Sequence, residues 1–374
     1  MDRLRRVALS SLLVAVASAA QRTSWPAKAD PLQARPAAAA AAPVTYTPDN
    51  SMLWFSPYAW QVTPTAASTI NSAAHVRFLF SGSFLSFQFD TSNMVSPTSE
   101  VYWRVDNGPL TPSLVLPTVN VSIPANNTRG DVPYHSCELF VKSTTETANR
   151  WSATGASTRV ILPGVTTDGQ LAQWFAQDAT MLVYGDSITE GVLTLGGSQR
   201  FDTDHNDASV VYSHALAPLL GVEIGVVGFG ATGLSRGGSG GVPALGVSWD
   251  KLWDGVPRSF SPRPDIILFN EGTNDGSNNI TAELGVVIEG LLGACPGTPI
   301  VLMLPFNGAE ADCLKAAVVN ANSPLVSYLD TTGFYDMTFG GGLHPTGPND
   351  VARLAPQIAN KLRPILAKSI LGRA

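Results

Sequence analysis

Two residues in the C-terminal half could do nucleophilic chemistry together: Ser187, in YGDSITEG (184–191), and His344, in FGGGLHPTG (339–347). A serine hydroxyl is a poor nucleophile until a base takes its proton, and histidine titrates in the range that suits that task. Attack on an ester carbonyl makes an oxyanion, which needs hydrogen-bond donors set in place beforehand, each worth about 3–4 kcal/mol. Three candidate donors are visible: the Ser187 N–H, the backbone of GFGATG (Gly228–Gly233), and the side chain of Asn274 in NEGTNDG (270–276). Each motif has a plain structural explanation. GDS is also a capped turn with Asp186 or Ser187 as N-cap, and GFGATG alone matches the weak dinucleotide fingerprint G-x-G-x-x-G. Together, and in this order, they favour catalysis.

The elements that would position these residues alternate. From about Gln170, apolar runs (MLVYG, GVEIGVVG, PDIILFNEG, PIVLMLPF, LVSYLD) are separated by helix-like stretches such as TAELGVVIEGLLG and AEADCLKAAVV. The chain closes on NDVARLAPQIANKLRPILAKSIL, with Asn349 or Asp350 as the expected N-cap. Strand–helix alternation predicts a parallel sheet covered on both faces, with the site at the carboxyl ends of its strands. Ser187, the glycine block and Asn274 would follow the first three strands, and His344 would precede the last helix.

Residues 45–166 read as all-β. HVRFLF puts Val76, Phe78 and Phe80 on one face; FLSFQFD does the same with Leu85, Phe87 and Phe89. VYWRVD runs into Asn107-Gly108, a strong hairpin signal. A β-sandwich follows from short strands at this spacing.

Outside the site, Arg3, Arg5 and Arg6 precede VALSSLLVAVASAA and the small-residue triplet Ala17-Ser18-Ala19. Residues 1–20 therefore read as a secretory signal, the apolar run being too short for a span of about 20 residues. The Ala/Pro-rich stretch 21–44 reads as linker. Sequons at Asn120, Asn126 and Asn279 agree with secretion and glycosylation. Of the three cysteines, Cys295 and Cys313 are the expected disulfide pair, and no C-x-x-C suggests zinc. A net charge of −6 without a basic stripe argues against nucleic acid. DTDHND (202–207) tempts a calcium reading, but Asp207 and Ser213 stand where the loop needs Gly and Glu, so a solvated acidic loop is expected. His75, His135 and His214 read as structural.

Gly185-Asp186-Ser187, the block at 228–233, Gly272-Thr273-Asn274-Asp275 and His344-Pro345 resemble, in order and spacing, the SGNH/GDSL hydrolase superfamily. The resemblance covers about 170–374. It implies a three-layer, flavodoxin-like α/β domain, Ser187 as nucleophile and His344 as general base. The Ser187 N–H, the Gly230 N–H (Gly233 as second choice, since Gly228 replaces the usual Asn) and Asn274 would form the oxyanion hole. No cofactor and no metal are implied. With a β-sandwich in front, and with VYWRVDNG and SWDKLWDGVPR…SPRPDIILFNEGTND, the chain is also similar to carbohydrate esterase family 2, which pairs a jelly roll with an SGNH domain. That resemblance implies a secreted esterase removing acetyl groups from polysaccharides such as xylan or glucomannan. Trp249 and Trp253 would either stack on sugar or pack internally. A general short-chain or lipase-like esterase, and a non-catalytic carbohydrate-binding protein with a relict hydrolase domain, are the alternatives.

The superfamily carries Asp three residues before its histidine, where this chain has Gly341. The expectation is a Ser–His dyad in which a backbone carbonyl of the Gly340–Leu343 run holds the imidazole. The competing expectation is a distant acid, Asp336 first and Asp330 second.

Overall fold

The computed structural model describes residues 42–123, 134–154, 158–197, 203–338 and 342–372. The expected signal and linker, up to residue 41, lie outside them. The first half of the described chain is antiparallel. Strands Val44–Tyr46, Gly164–Thr167, Leu85–Gln88 and Thr118–Asn120 form one sheet; a second is built on His75–Phe80, His135–Ser143 and Glu100–Val105. Alternate residues of both sheets meet in a single apolar core that includes Val76, Phe78, Phe80, Leu85, Phe87 and Leu139. Asp106 and Asn107 adopt left-handed conformations (φ 51° and 59°), and strand Glu100–Val105 turns back onto Thr111–Leu114 as the Asn-Gly signal predicts.

The second half holds five parallel strands, β1 (Thr180–Gly185), β2 (Glu223–Gly228), β3 (Ile266–Asn270), β4 (Ile300–Met303) and β5 (Val326–Leu329), in the order β2-β1-β3-β4-β5. The helices include α1 (Ser187–Glu190), α2 (Tyr212–Leu220), α3 (Thr281–Ala294), α4 (Ala311–Ala321) and α5 (Gly347–Leu371), with a further single turn at Leu245–Ser248. Because side chains alternate along a strand, Leu182, Tyr184 and Phe269 pack on α3 and α4, whereas Met181, Val183 and Leu268 pack on α2 and α5. The sheet is thus covered on both faces. Strand order reverses around β1, which in this topology opens a crevice at the carboxyl ends of β1 and β3. Among the described residues, no helix is long and apolar enough to cross a membrane.

Two expectations are corrected here. Helix α5 begins earlier than the Asn349/Asp350 cap implies: Thr346 is the N-cap, its N–H donates to Asp350 Oδ2 at 2.8 Å, and Pro348 sits in the first turn, where no N–H is needed. The disulfide between Cys295 and Cys313 does not form, and Cys137 is also a free thiol. Cys313 Sγ lies 3.7 Å from Asn279 Oδ1, just before α3, while Cys295 caps the far end of that helix. Fourteen helical residues separate those ends by about 21 Å, whereas a disulfide needs Cα atoms within about 7 Å.

Where the two halves meet, Phe140 lies between the buried imidazole of His75, at 6.1 Å between ring centroids, and the half-buried imidazole of His214, at 4.9 Å. Burial pushes His75 down to about 3 and His214 down to about 4, from the usual 6.5. Both rings must be neutral in the folded chain. The unfolded chain therefore binds more protons at these sites below pH 6.5, and their contribution to stability, present above that pH, is lost as pH falls toward 4. The expected slope is about 1.4 kcal/mol per pH unit per ring. Replacing both by Gln isolates the effect. The unfolding free energy of the wild type relative to the variant should fall between pH 6.5 and 4 in urea titrations, and a pH-independent difference would contradict this.

Candidate active site

β1 ends at Gly185, where a Cβ would lie 2.0 Å from Thr189 Oγ1; only glycine lets the chain turn so tightly into α1. Asp186 caps α1 by accepting the Ile188 N–H at 2.9 Å. Ser187 follows as the first helical residue, and its Oγ lies 2.9 Å from His344 Nε2. That is proton-transfer distance. The two side chains come from opposite ends of the α/β half. Both are almost withdrawn from water, Ser187 at 7% and His344 at 6% exposure.

The histidine loop is tied down on each side. The Gly347 N–H donates to Thr194 O at 2.6 Å, the Tyr335 hydroxyl donates to Gly342 O at 2.9 Å, and α5 starts three residues after His344. Gly340 and Gly341, part of the run expected to hold the imidazole, lie outside the described residues. The two distant acids are described, and neither bonds His344. Asp330 is on the surface, turned back on the N–H and hydroxyl of Thr332, and Asp336 is likewise engaged with Thr338. These contacts are local turn contacts that polar residues make with neighbouring backbone and hydroxyl groups, and they engage both carboxylates at the surface.

The expected oxyanion donors divide. The Ser187 N–H has no acceptor among the described residues. The Asn274 amide donates to Thr232 O at 2.9 Å, which fixes its plane, while its contact with Asp186 Oδ2 is long at 3.4 Å and leaves one hydrogen weakly held. The Gly230 N–H is not free: it donates to Glu190 Oε2 at 2.6 Å. The second choice is also engaged, the Gly233 N–H donating to Arg236 O at 2.9 Å. The physical reason is the buried carboxylate of Glu190 at the end of α1, which takes the nearest backbone donor of the glycine block. Beneath the turn, burial pushes the Asp186 carboxyl up to about 6 and Glu271, beside Asp186 and Asp275, well above the usual carboxylate range.

Sequence reading missed Glu190 and its partner Arg150. Glu190 sits inside the YGDSITEG motif as a charged residue in a segment that is otherwise buried, which is a signal of sorts. Arg150 lies in a Ser/Thr-rich loop of the antiparallel half and carries none.

Other expectations resolve toward packing. Trp253 is buried beneath the Arg159 guanidinium, and Trp249 packs on Phe260 and against Gly290 of α3, so neither ring is presented to a sugar. Of the expected solvated loop, residues 203–207 are described, and only Asp204 among them is exposed. Asn206 and Asp207 are buried; Asn206 accepts the Leu193 N–H, and Asp207 accepts the Tyr102 hydroxyl at 2.7 Å from the antiparallel half. Asn120 and Asn279 are exposed, and Asn126 is outside the described residues. Beside the site, a cavity of about 610 Å³ is lined by Leu193, Thr194, Leu195, Gly196, Thr346 and Gly347.

The sequence matches no protein-family model and no curated protein. Solved structures do match in fold. A family two carbohydrate esterase from Cellvibrio japonicus superposes with a TM-score of 0.72 at 20% identity, covering 87% of this chain and 98% of that one. A family two carbohydrate esterase from Clostridium thermocellum in complex with cellohexaose gives 0.67 at 19%, covering 84% and 99%. An acetyl xylan esterase from the rumen bacterium Butyrivibrio proteoclasticus gives 0.67 at 17%, covering 87% and 99%.

Proposed function

With the fold of the family two carbohydrate esterases as premise, we propose that this chain is a secreted serine esterase that removes acetyl groups from a polysaccharide. The antiparallel half would be the jelly roll of that architecture. The observation that carries the reading is the 2.9 Å contact between His344 Nε2 and Ser187 Oγ at the carboxyl end of a parallel strand.

The geometry supports the following course of reaction. His344 Nε2 takes the Ser187 proton as Oγ attacks the ester carbonyl, and the charge arriving on the carbonyl oxygen is met by the Ser187 N–H and the second hydrogen of the Asn274 amide. The tetrahedral adduct collapses, and the sugar oxygen leaves with the proton from His344, so an acetyl-serine remains. Water then gives its proton to the same nitrogen, attacks the acetyl carbon, and releases acetate and free Ser187. An acetyl group needs little room on the acyl side. In this reading the larger alcohol occupies the cavity beside Thr346 and Leu195.

The test is release of acetate from acetylated xylan, acetylated glucomannan, p-nitrophenyl acetate and a long-chain ester by wild type and Ser187→Ala. Polysaccharide deacetylation that depends on Ser187 supports the proposal. A preference for the long-chain ester overturns the polysaccharide part, and absence of all hydrolysis overturns the whole.

A further inference from the structure

The glycine block of the site is held by a residue from the other half of the molecule. Arg150, in the loop after strand His135–Ser143, is completely buried. Its Nη1 donates to Glu190 Oε1 and its Nη2 to Glu190 Oε2 at 3.1 Å, a two-point grip on the carboxylate that ends α1. Nη1 also donates to Thr144 Oγ1 at 3.0 Å, the Arg150 N–H donates to Gly240 O at 2.8 Å, and the guanidinium carbon lies 5.0 Å from the Phe229 ring centre. Phe229 lies inside the glycine block and Gly240 lies seven residues beyond it, so Arg150 is fastened both to the block and to the segment that follows it.

From Glu190 the contacts run on to the reacting groups. Glu190 Oε2 accepts the Gly230 N–H, and two residues further on Thr232 O accepts the Asn274 amide. The block has no slack: a Cβ on Gly230 would lie 2.1 Å from Glu146 Oε2, and one on Gly228 would lie 2.7 Å from Glu190 N. A buried ion pair is by itself a poor source of stability, since apolar side chains of similar size join two surfaces about as well. Unlike an apolar pair, a side-chain oxygen held in place at 190 can also take the Gly230 N–H.

We propose that Arg150 is a positioning residue for the esterase site. By gripping Glu190 it sets the Gly228–Gly233 block against α1, and so sets Asn274 and Ser187 to face one carbonyl oxygen. The antiparallel half is then part of the catalytic apparatus, not only a support or a sugar-binding module. This rests on the esterase reading, because positioning is measured through that reaction. A misplacement of about 1 Å at such a site can cost on the order of 100-fold in rate.

The experiment uses the full chain and p-nitrophenyl acetate, a substrate too small to depend on polysaccharide contacts. Arg150→Met is expected to lower kcat by about 100-fold with KM within about 3-fold. Because that variant leaves Glu190 buried without its partner, two neutral pairs accompany it, each checked for a cooperative melt. Arg150→Leu/Glu190→Leu joins the halves but offers Gly230 no acceptor, and kcat should stay about 100-fold down. Arg150→Met/Glu190→Gln keeps an acceptor without a buried charge, and kcat should recover to within about 10-fold of wild type. A folded Leu/Leu variant with near wild-type kcat overturns the proposal and leaves the esterase reading intact. Wild-type protein that neither hydrolyses the ester nor is labelled at Ser187 by a fluorophosphonate removes the esterase reading, and this proposal with it.

Discussion

Ser187→Ala is expected to lose about 10⁵- to 10⁶-fold in kcat on a small acetyl ester, His344→Ala a similar amount, and the double variant no more than either alone. In the proposed mechanism the two side chains act in one step. Without the hydroxyl there is nothing for the imidazole to deprotonate, and without the imidazole the hydroxyl keeps its proton. Their separation of 2.9 Å and their burial put both in the same proton transfer. Asp330→Ala and Asp336→Ala serve as the contrast. Each carboxylate is exposed and bound to its own turn, so each variant should stay within about 3-fold of wild type. A loss of several hundred-fold in either would mean that an acid reaches His344 after all. Initial rates, with circular dichroism to check folding, decide the matter.

Asn274→Ala carries the second largest effect. The backbone donors expected at 230 and 233 are bound to Glu190 and Arg236, which in the proposed mechanism leaves the oxyanion to the Ser187 N–H and the Asn274 amide. Deleting one donor of so small a set should lower kcat by about 10²- to 10³-fold, about 3–4 kcal/mol, with KM little changed, because the interaction forms only as charge appears on the carbonyl oxygen. Asn274→Asp should be at least as damaging, since it sets a carboxylate beside the developing charge and near Asp186. Equal losses in kcat and substrate affinity would instead assign Asn274 to ground-state binding.

Both predictions depend on residues that are visible from motif and spacing alone. The alternation of apolar runs from residue 180 onward follows from local periodicity, and so do the inward faces of the β-strands. These patterns record which side of each element is buried, and every such residue carries its own part of the signal. The four candidate motifs are visible for a related reason: three lie at the ends of β1, β2 and β3, the fourth lies just before α5, and the topology puts them near one another. GDS and His-Pro come together because α5 closes over β1 and β3, and that closure follows from the strand order.

What the sequence could not determine is where particular polar atoms spend their hydrogen bonds. Gly230 reads as a free donor until Glu190, forty residues earlier, turns out to lie within 2.6 Å of it. Asp330 and Asp336 read as possible partners of His344 until their carboxylates are seen to close on Thr332 and Thr338. Cys295 and Cys313 read as a pair until a helix stands between them. Arg150 gives no local sign of its place under the site, because its partner lies in the other half of the chain. Side-chain periodicity is a property of neighbours along the chain and is legible there. The choice of hydrogen-bond partner is a property of neighbours in space, made by burial, which leaves each polar group to satisfy itself with whatever the packed fold brings within about 3 Å.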